Sequence, residues 1–362
     1  MTDFINSLGL MSGTSCDGID LSVITTDGIC IKENLVNMSY SYTDTEKEII
    51  KSAYGKNPDT DILKQATDII TNTHCDLIEK FLNDDNIKID IIGFHGQTTF
   101  HDPQNKITTQ IGDAQIIANK FNIPVVADFR TADVMNGGNG APLIPIYHSA
   151  IAKSQKLDNV CFLNLGGIAN ITVCTGDELI AFDTGTANCL LDDYCQGILN
   201  IPYDKNGELA KSGNINKELL NKLLSHPYFE KPFPKSLDRD EFKIDFKQAP
   251  WADLNDNDTL ATLVEFSVQS IAMAINQTNK DINKIIVCGG GANNDYMLNR
   301  LREITNVELI TTQSIGLNHD YIEAGGFAFL GVRHLNNLPN SFPSTTGVNA
   351  PTVGGVLFKP KS

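Results

Sequence analysis

One pattern of apolar strand, small polar loop and second strand occurs twice in this chain, near the N-terminus and again near the middle. The first copy covers residues 4–28 and the second covers residues 160–176. Both copies are typical of β-hairpins, because two β-prone segments flank a loop of Gly and small polar residues. A chain with two such halves is predicted to be a duplicated α/β protein that binds a ligand between two sheets.

The remaining segments alternate between helical and strand patterns, as expected for an α/β protein. In chain order, the prediction is helical spacing at 44–83, a buried strand at 89–101 that ends in a Gly/His loop, a helix at 114–121, a strand at 124–128, a glycine-rich loop before another helix, a strand-to-helix junction at 180–194, a long helix at 256–278, a strand and glycine loop at 285–295, and a helix at 323–335. Residues 204–255, rich in Lys, Asp, Pro and Phe, fit neither pattern.

Length and charge narrow the classes of function. The chain has 362 residues, 41% of them hydrophobic, which is enough for two domains with separate cores. Its net charge of -16 at pH 7 disfavours nucleic acid and anionic membranes as partners, because both repel a net anion. The eight cysteines contain no CxxC pair, and the N-terminus lacks a basic segment followed by an apolar run. We therefore expect a soluble cytoplasmic protein with free thiols, and leave a homodimer open.

Three glycine-containing loops follow apolar strands, at residues 9–18, 164–170 and 289–294. Glycines let a backbone approach a phosphate and direct its N–H groups toward it, and the hydroxyls of the first loop add hydrogen bonds. Asp17 in the first loop is a candidate to hold Mg²⁺ through water, because this cation prefers oxygen ligands. A tight turn explains any one loop equally well, and no GxxxxGK[ST] motif is present. Three loops together favour nucleotide phosphotransfer.

One carboxylate is the candidate general base for such a transfer. Asp183 is predicted to end an apolar strand and to project from the small polar loop that follows. The alternative is that Asp183 caps a helix beginning near Ala187. Glu323 begins an apolar helix, where the helix dipole alone would favour an acidic residue.

Other polar residues suggest binding more than catalysis. His95 and His101 are six residues apart, which is not the spacing of a metal pair on one helix face, so we expect hydrogen bonds from His95 and Gln97 and no zinc. Asp128 and Arg130 follow a predicted strand, and such a pair is more often a structural salt bridge than a ligand clamp.

Eight ordered motifs nevertheless resemble one family closely, the anhydro-N-acetylmuramic acid kinases. They are LMSGTSCDGID (10–20), HGQT (95–98) with His101 and Pro103, ADFR (127–130), GGNGAPL (137–143), NLGGIANIT (164–172), FDTG (182–185) with Asn188, ATL (261–263) and CGGGAN (288–293). An ordered set spanning nearly the whole chain is much more specific than a single glycine loop.

The resemblance implies a two-domain actin/hexokinase fold of duplicated mixed sheets flanked by helices around a central cleft. One domain is expected at 1–131 plus about 325–362, and the second, with nucleotide loops, at about 132–324. It also implies ATP and Mg²⁺ as cofactors and a small anhydrosugar as substrate, which water opens and ATP phosphorylates on O6. The residues implied are Gly13, Thr14, Ser15, Cys16, Asp17, Gly18, Ile19, Asp20, Asn164, Gly166, Gly167 and Asn170 for the phosphates, Gly289, Gly290, Gly291 and Asn293 for the nucleotide, Thr98, Arg130, Asp183 and Glu323 for the sugar, and Asp183 as base.

Two positions depart from the family pattern. Thr186 and Ala187 stand where the family more often has Pro-Gly, which would reshape the loop beside the base. Gly325 and Gly326 replace bulkier helix formers and are expected to loosen the late helix.

Two alternatives remain from the sequence. An ordinary sugar or acetate-type kinase on the same fold needs the same loops and base, but it transfers phosphate to a free hydroxyl and cleaves no ring. A nucleotide-switched module of the actin or chaperone type would add a peptide-binding domain or filament interfaces.

Overall fold

The computed structural model describes residues 3–55 and 59–361. The strands are β1 (Ile5–Ser12), β2 (Gly18–Thr26), β3 (Ile31–Ser41), β4 (Ile91–Asp102), β5 (Ile107–Ile111), β6 (Val125–Ala127), β7 (Val160–Leu165), β8 (Ile168–Thr175), β9 (Glu178–Thr186), β10 (Lys284–Cys288), β11 (Glu308–Thr311) and β12 (Val356–Phe358). The helices are α1 (Asp44–Ser52), α2 (Thr60–Asp84), α3 (Ala114–Phe121), α4 (Thr131–Met135), α5 (Pro145–Ser154), α6 (Cys189–Tyr194), α7 (Glu208–Lys211), α8 (Lys217–Leu224), α9 (Asp256–Gln277), α10 (Asp295–Thr305) and α11 (Ile322–Leu335).

The chain forms two compact units. Unit 1 contains Met1–Lys156 and Asp320–Ser362, and unit 2 contains Leu157–His319. The sequence-based boundaries, at 131 and about 325, differ from this division because α4 and α5 and the start of α11 belong to unit 1. Each unit has its own hydrophobic core, as a separate domain should.

Unit 1 is built on a seven-stranded mixed sheet in which β5 pairs with β4 and the other strands run in the order β12-β6-β4-β1-β2-β3. β1 and β2 form the predicted hairpin, with Ser12 opposite Ile19. β4 lies parallel to β1 and brings Gln97 opposite Ser12. Because parallel strands end at the same edge of a sheet, the hairpin loop lies beside the polar end of β4.

Helix α11 packs closely on this sheet. A Cβ added at Gly9 would lie 1.9 Å from the carbonyl oxygen of Ala324, and one at Gly93 would lie 2.0 Å from that of Phe327. Only glycine at these two strand positions lets the helix approach so closely. Ser7 adds a hydrogen bond from its hydroxyl to the carbonyl of Ala328, at 2.7 Å.

Unit 2 repeats the same plan in a five-stranded sheet with the order β11-β10-β7-β8-β9. β7, β8 and β9 are antiparallel neighbours, as are β1, β2 and β3, and β10 lies parallel to β7 as β4 does to β1. The duplicated halves predicted from the two hairpins, and the mixed sheets that the resemblance implied, are therefore confirmed.

Helix α9 is the central helix of unit 2. Asn255 caps it, since its side chain accepts a hydrogen bond from the N–H of Asp258. Among the described residues one helix, α9, is long and apolar enough to cross a membrane, and 83% of that apolar window is buried inside the structure. This burial is that of a core helix.

Two sequence expectations about strand ends were wrong. β4 continues through the predicted Gly/His loop to Asp102, and β9 continues past Asp183 to Thr186. The unassigned segment 204–255 contains the short helices α7 and α8 and several 3-10 turns, such as Pro227–Glu230.

Candidate functional sites

The loop between β1 and β2 exposes small polar groups on a fixed backbone. Thr14, Ser15 and Asp17 are exposed. Cys16 is buried, with a φ of 62°, and its N–H donates to the carbonyl of Gly13 at 3.0 Å. Of the other residues that the resemblance implied here, Ile19 is buried and Gly13, Gly18 and Asp20 are half-buried. The loop can therefore present hydroxyls and backbone N–H groups to an anion.

A buried amide holds this loop from the side of β4. The Gln97 side-chain nitrogen donates to the carbonyl of Gly13 at 3.0 Å and to the Tyr54 hydroxyl at 2.9 Å, while its oxygen accepts from the Ser12 hydroxyl at 2.6 Å. The hydroxyls of Ser12 and Tyr42 lie 3.0 Å apart. Sequence reasoning expected hydrogen bonds from Gln97 but missed both tyrosines, which carry no motif and lie far along the chain.

Arg130 is held by an uncharged histidine. Its Nε and Nη2 lie 3.1 and 3.0 Å from Nε2 of His95, and its Nη1 donates to the carbonyl of Gly140 at 2.6 Å. His95 is buried, and this burial together with the Arg130 charge lowers its pKa well below the usual value. Its Nε2 therefore accepts, and its Nδ1 donates to the carbonyl of Gly96 at 2.8 Å. The expected Asp128–Arg130 salt bridge is not among the ion pairs of residues 3–55 and 59–361.

Two further residues expected to bind sugar also belong to unit 1. Thr98 is half-buried, and its hydroxyl accepts from the Gln110 side chain at 3.3 Å, so its own proton is free to donate elsewhere. Glu323 lies in the first turn of α11. Solvent reaches its side chain, but enough protein surrounds the carboxylate to raise its pKa, which the Arg130 charge opposes and the Asp20 charge reinforces.

Asp133 has a structural role. It is completely buried, and its carboxylate accepts hydrogen bonds from the Gly140 N–H at 2.6 Å and from the Thr346 hydroxyl. A Cβ at Gly138 would lie 2.1 Å from the same carboxylate. Asp133 thus organises the glycine-rich loop whose Gly140 carbonyl holds Arg130.

The second glycine loop, between β7 and β8, is anchored through its carbonyl groups. The carbonyl of Gly166 accepts from the N–H and the side-chain amide of Asn188, at 3.0 and 2.8 Å, and that of Gly167 accepts from the N–H groups of Ala187 and Cys189. These bonds to residues 187–189 hold the backbone of the loop against the start of α6.

The third glycine loop packs against the second. A Cβ at Gly289, where φ is +80°, would lie 2.3 Å from Oδ1 of Asn164, and one at Gly291 would lie 2.6 Å from the Cβ of Leu165. A cavity of about 720 Å³ opens beside this loop, lined by residues that include Gly290, Asn293 and Tyr203. A pocket of this size holds a drug-sized ligand. Tyr203 belongs to no sequence motif, so its place beside the loop was not predicted.

Asp183 lies within β9 at an irregularity in the pairing, opposite Asn170 of β8. Its Oδ2 accepts from the N–H of Leu237 at 2.8 Å. Burial raises the pKa of this carboxylate to about 6, although the Leu237 hydrogen bond lowers it. Asp183 caps no helix, because α6 begins at Cys189 after Asn188, so the capping alternative is excluded. A carboxylate with this pKa can accept a proton near neutral pH.

The two departures from the family pattern have different surroundings. Cβ atoms at Gly325 and Gly326 would lie 2.5 Å from the Tyr147 hydroxyl and 2.5 Å from Cδ1 of Ile144, respectively. These glycines therefore leave room for the start of α5 to pack against α11, which continues unbroken through both positions. The Thr186 hydroxyl is buried with no hydrogen-bond partner among the described residues, and nothing in the structure explains it.

The donor chemistry suits a cation that arrives with phosphates. No group of three or more His, Cys, Asp or Glu side chains in the described chain has the arrangement of a metal site. Asp17 offers an exposed carboxylate on the first loop. Magnesium is commonly bound by one or two carboxylates together with phosphate oxygens and water, and Asp17 fits that role.

Comparison with solved structures identifies the fold. A ligand-bound xylulose kinase from Lactobacillus acidophilus has a TM-score of 0.50 over 98% of this chain and 93% of its own, at 11% sequence identity. At such low identity the likeness concerns the fold alone. With its two duplicated mixed sheets, the chain has the fold of the actin/hexokinase-like kinases, as the sequence predicted.

Sequence comparison identifies the family. Residues 5–360 match the family model described as anhydro-N-acetylmuramic acid kinase. Two curated proteins of that name, from Methylobacterium nodulans and Rhodopseudomonas palustris, are 39% and 40% identical to this chain, each match covering 98% of this chain and 100% of the relative. The chain belongs to the anhydro-N-acetylmuramic acid kinase family. It is therefore a phosphotransferase, a kinase of murein recycling.

Proposed function

We propose that the protein uses ATP and water to convert 1,6-anhydro-N-acetylmuramic acid into N-acetylmuramic acid 6-phosphate and ADP. Family membership supports the sugar and the phosphate donor. The observation that carries the ring opening is Asp183, a carboxylate on β9 whose pKa is raised to about 6. A base with that pKa is mostly ionised at neutral pH and still accepts a proton.

In the proposed reaction, Asp183 takes a proton from a water molecule whose oxygen bonds to C1 of the sugar. The bond between C1 and O6 breaks, and O6 keeps its electron pair. O6 then attacks the γ-phosphorus as the bond to ADP breaks, and Asp183 releases its proton to solvent. One base thus serves both bond changes, and the reaction consumes one water and one ATP.

The nucleotide contacts are proposed from the three glycine loops. Residues 13–20 and 164–170 would bind the phosphates, and Gly289, Gly290, Gly291 and Asn293 the rest of the nucleotide. The cavity beside Gly290 and Tyr203 supports this assignment, since it is large enough for a nucleoside. Asp17 would hold Mg²⁺ through water, and the ion would neutralise charge on the phosphates.

The sugar contacts proposed are Thr98, Arg130, Asp183 and Glu323. Arg130 suits the lactyl carboxylate, because a guanidinium binds a carboxylate through two parallel hydrogen bonds. This local cation would give a chain of net charge -16 its own anion site. Thr98 and Glu323 would orient the sugar hydroxyl and amide groups.

We also place the protein in the cytoplasm. None of the eight cysteines forms a disulfide bond, as expected in a reducing compartment. The net negative charge argues against nucleic acid and anionic membranes as partners. A homodimer is compatible with this proposal.

The decisive experiment is mass analysis of the product formed from anhydro-N-acetylmuramic acid and ATP in ¹⁸O-labelled water. One ¹⁸O atom at C1 and one phosphoryl group are expected in each product molecule. Unlabelled N-acetylmuramic acid 6-phosphate incubated in the same water controls for exchange through the open-chain aldehyde. A phosphorylated product that keeps its anhydro bond would instead indicate an ordinary sugar kinase.

The base is tested with Asp183→Asn. This variant should bind ATP and the sugar normally in calorimetry, while turnover falls by about 10²–10⁴-fold. Substantial retained turnover would move the role of base to another residue, with Glu323 the first to test.

A further inference from the structure

The side chain of Lys235 is buried in unit 2 and bonded entirely to uncharged groups. Its ammonium donates to the carbonyl oxygens of Tyr228, Phe229 and Lys231, at 3.3, 3.3 and 3.1 Å, and to Oε1 of Gln277 at 3.0 Å. Lys235 is 8% exposed and takes part in none of the ion pairs found in the described chain. A buried charge costs free energy unless several polar groups compensate it, as these four acceptors do.

Two aromatic rings complete this environment. The ammonium lies 4.9 Å from the ring centre of Tyr228 and 5.6 Å from that of Phe182, the residue before Asp183. Such cation–π contacts add to the hydrogen bonds. Gln277, at the end of α9, also donates from its side-chain nitrogen to the Lys231 carbonyl at 2.9 Å. The ammonium thus joins several parts of residues 228–237, which we call the brace segment, to one another. It also ties the brace segment to α9.

The brace segment contacts Asp183 at three points. The carbonyl of Lys235 accepts from the Asp183 N–H at 3.0 Å, and the Leu237 N–H donates to the Asp183 carboxylate at 2.8 Å. The hydroxyl of Tyr228 donates to the Asp183 carbonyl at 2.6 Å. Backbone and carboxylate of Asp183 are therefore both held by the segment that the ammonium folds.

We propose that Lys235 is the positioning residue of Asp183, holding the brace segment in the shape that orients this carboxylate. The inference rests on the proposed role of Asp183 as base. Without the ammonium, each of the four acceptors loses one hydrogen bond, and the brace segment is free to move the Leu237 N–H away from the carboxylate. A base displaced by about 1 Å loses much of its effect.

Loss of the Leu237 hydrogen bond has a defined electrostatic sign. This bond lowers the pKa of Asp183, so weakening it lets burial raise the pKa further. Tyr228, whose hydroxyl donates to the Asp183 carbonyl, and Lys235, whose carbonyl accepts from the Asp183 N–H, are titratable residues in direct contact with Asp183, and the charges of Asp183 and Glu241 both act on Tyr228. Burial raises the pKa of Tyr228 and lowers that of Lys235. The acid limb of the rate profile should therefore move to higher pH when the brace segment loosens.

The test compares pH profiles of kcat for Lys235→Met, Lys235→Arg and Gln277→Met. Lys235→Met should lower kcat by on the order of ten- to a hundredfold, move the acid limb upward and leave the KM for ATP unchanged. Lys235→Arg should restore part of both properties, because a guanidinium can reach several of the same carbonyls. Lys247→Met, which removes an exposed lysine outside the brace segment, should behave as the unchanged protein.

Gln277→Met keeps the test valid if Lys235→Met fails to fold, because Gln277 is only half-buried at a helix end. It should produce a smaller shift in the same direction. A normal kcat and an unmoved acid limb in folded Lys235→Met or Gln277→Met would overturn the inference. If Asp183→Asn is inactive in that case, the proposed base survives. Normal turnover by Asp183→Asn would overturn both.

Discussion

The buried environment of Asp183 gives this carboxylate a pKa that suits a base, but it lowers the stability of the folded protein at neutral pH. Burial raises its pKa from 3.8 to about 6, so the folded state prefers the protonated carboxyl. The favourable contribution of this group to folding is complete below about pH 3.8 and is lost as the pH rises through about 6. At neutral pH the folded protein therefore holds an ionised carboxylate that would be more stable in the unfolded chain.

Replacing Asp183 by Asn should consequently stabilise the protein at pH 8, by on the order of 1–3 kcal/mol in the free energy of unfolding. Asn has nearly the same shape, and its oxygen can accept the Leu237 hydrogen bond. Urea unfolding at pH 8 and pH 5 measures the difference, which should shrink at the lower pH. Asp253→Asn, at an exposed position in the same unit, is the control and should have little effect at either pH. Equal or lower stability of Asp183→Asn at pH 8 would contradict the prediction.

At the scale of elements, the β1–β2 hairpin loop depends on a strand that is distant in sequence. Gln97 is completely buried and bonds to Ser12, Gly13 and Tyr54 through one amide. The loop can therefore keep its exposed hydroxyls in place without using them for its own structure.

Gln97→Leu should remove this support while keeping the volume of the side chain approximately constant. Partners left unpaired in a buried site cost about 1–3 kcal/mol, so the free energy of unfolding should fall by about 2 kcal/mol. If the loop binds phosphates as proposed, the KM for ATP should rise as well. Thermal unfolding and steady-state kinetics measure both effects. Gln104→Leu, at an exposed position just after β4, should change neither, and an unaltered Gln97→Leu would show that the loop holds itself.

Sequence periodicity predicted those elements whose burial pattern is regular. The helix at 114–121 has the predicted bounds, and α9 differs from its prediction by one residue at its end. β9 was predicted to end at Asp183, because FDTG has the composition of a turn, but pairing with β8 carries the strand to Thr186. The segment 204–255 has no periodic pattern of apolar residues. It is held by contacts such as those of Lys235, and these contacts join residues that are far apart in sequence.

Sequence motifs identified the candidate site residues, but they did not identify the residues that hold them in place. Asp183 and Arg130 belong to short patterns that a reader of the sequence can recognise. Hydrogen bonds from His95 were predicted, but their partner was not. The partner is Arg130, which lies beside His95 because β4 pairs with β6. Leu237, Tyr228 and Tyr54 act through a backbone N–H or a single hydroxyl, which leaves no pattern in sequence.

At the scale of the whole molecule, unit 2 is a continuous stretch of chain, whereas unit 1 is completed by residues from both ends. The core of unit 2 contains only residues between Cys161 and Leu309. The sheet of unit 1 is covered by α11, which follows unit 2 in the chain and packs on Gly9 and Gly93. The two units should therefore respond differently to being separated.

Residues 157–319 expressed alone should fold cooperatively, because their core needs no residue from outside the segment. Residues 1–156 alone should not, because the sheet would expose the apolar surface that α11 buries, and the Ser7 hydroxyl would lose its partner. Circular dichroism and thermal unfolding of the two segments measure this difference. Joining residues 320–361 to 1–156 through a flexible linker is the matched control, and it should restore folding. A molten 157–319 segment would mean that the two cores are less separate than their residues indicate, and a well-folded 1–156 segment would mean that the sheet of unit 1 does not need α11.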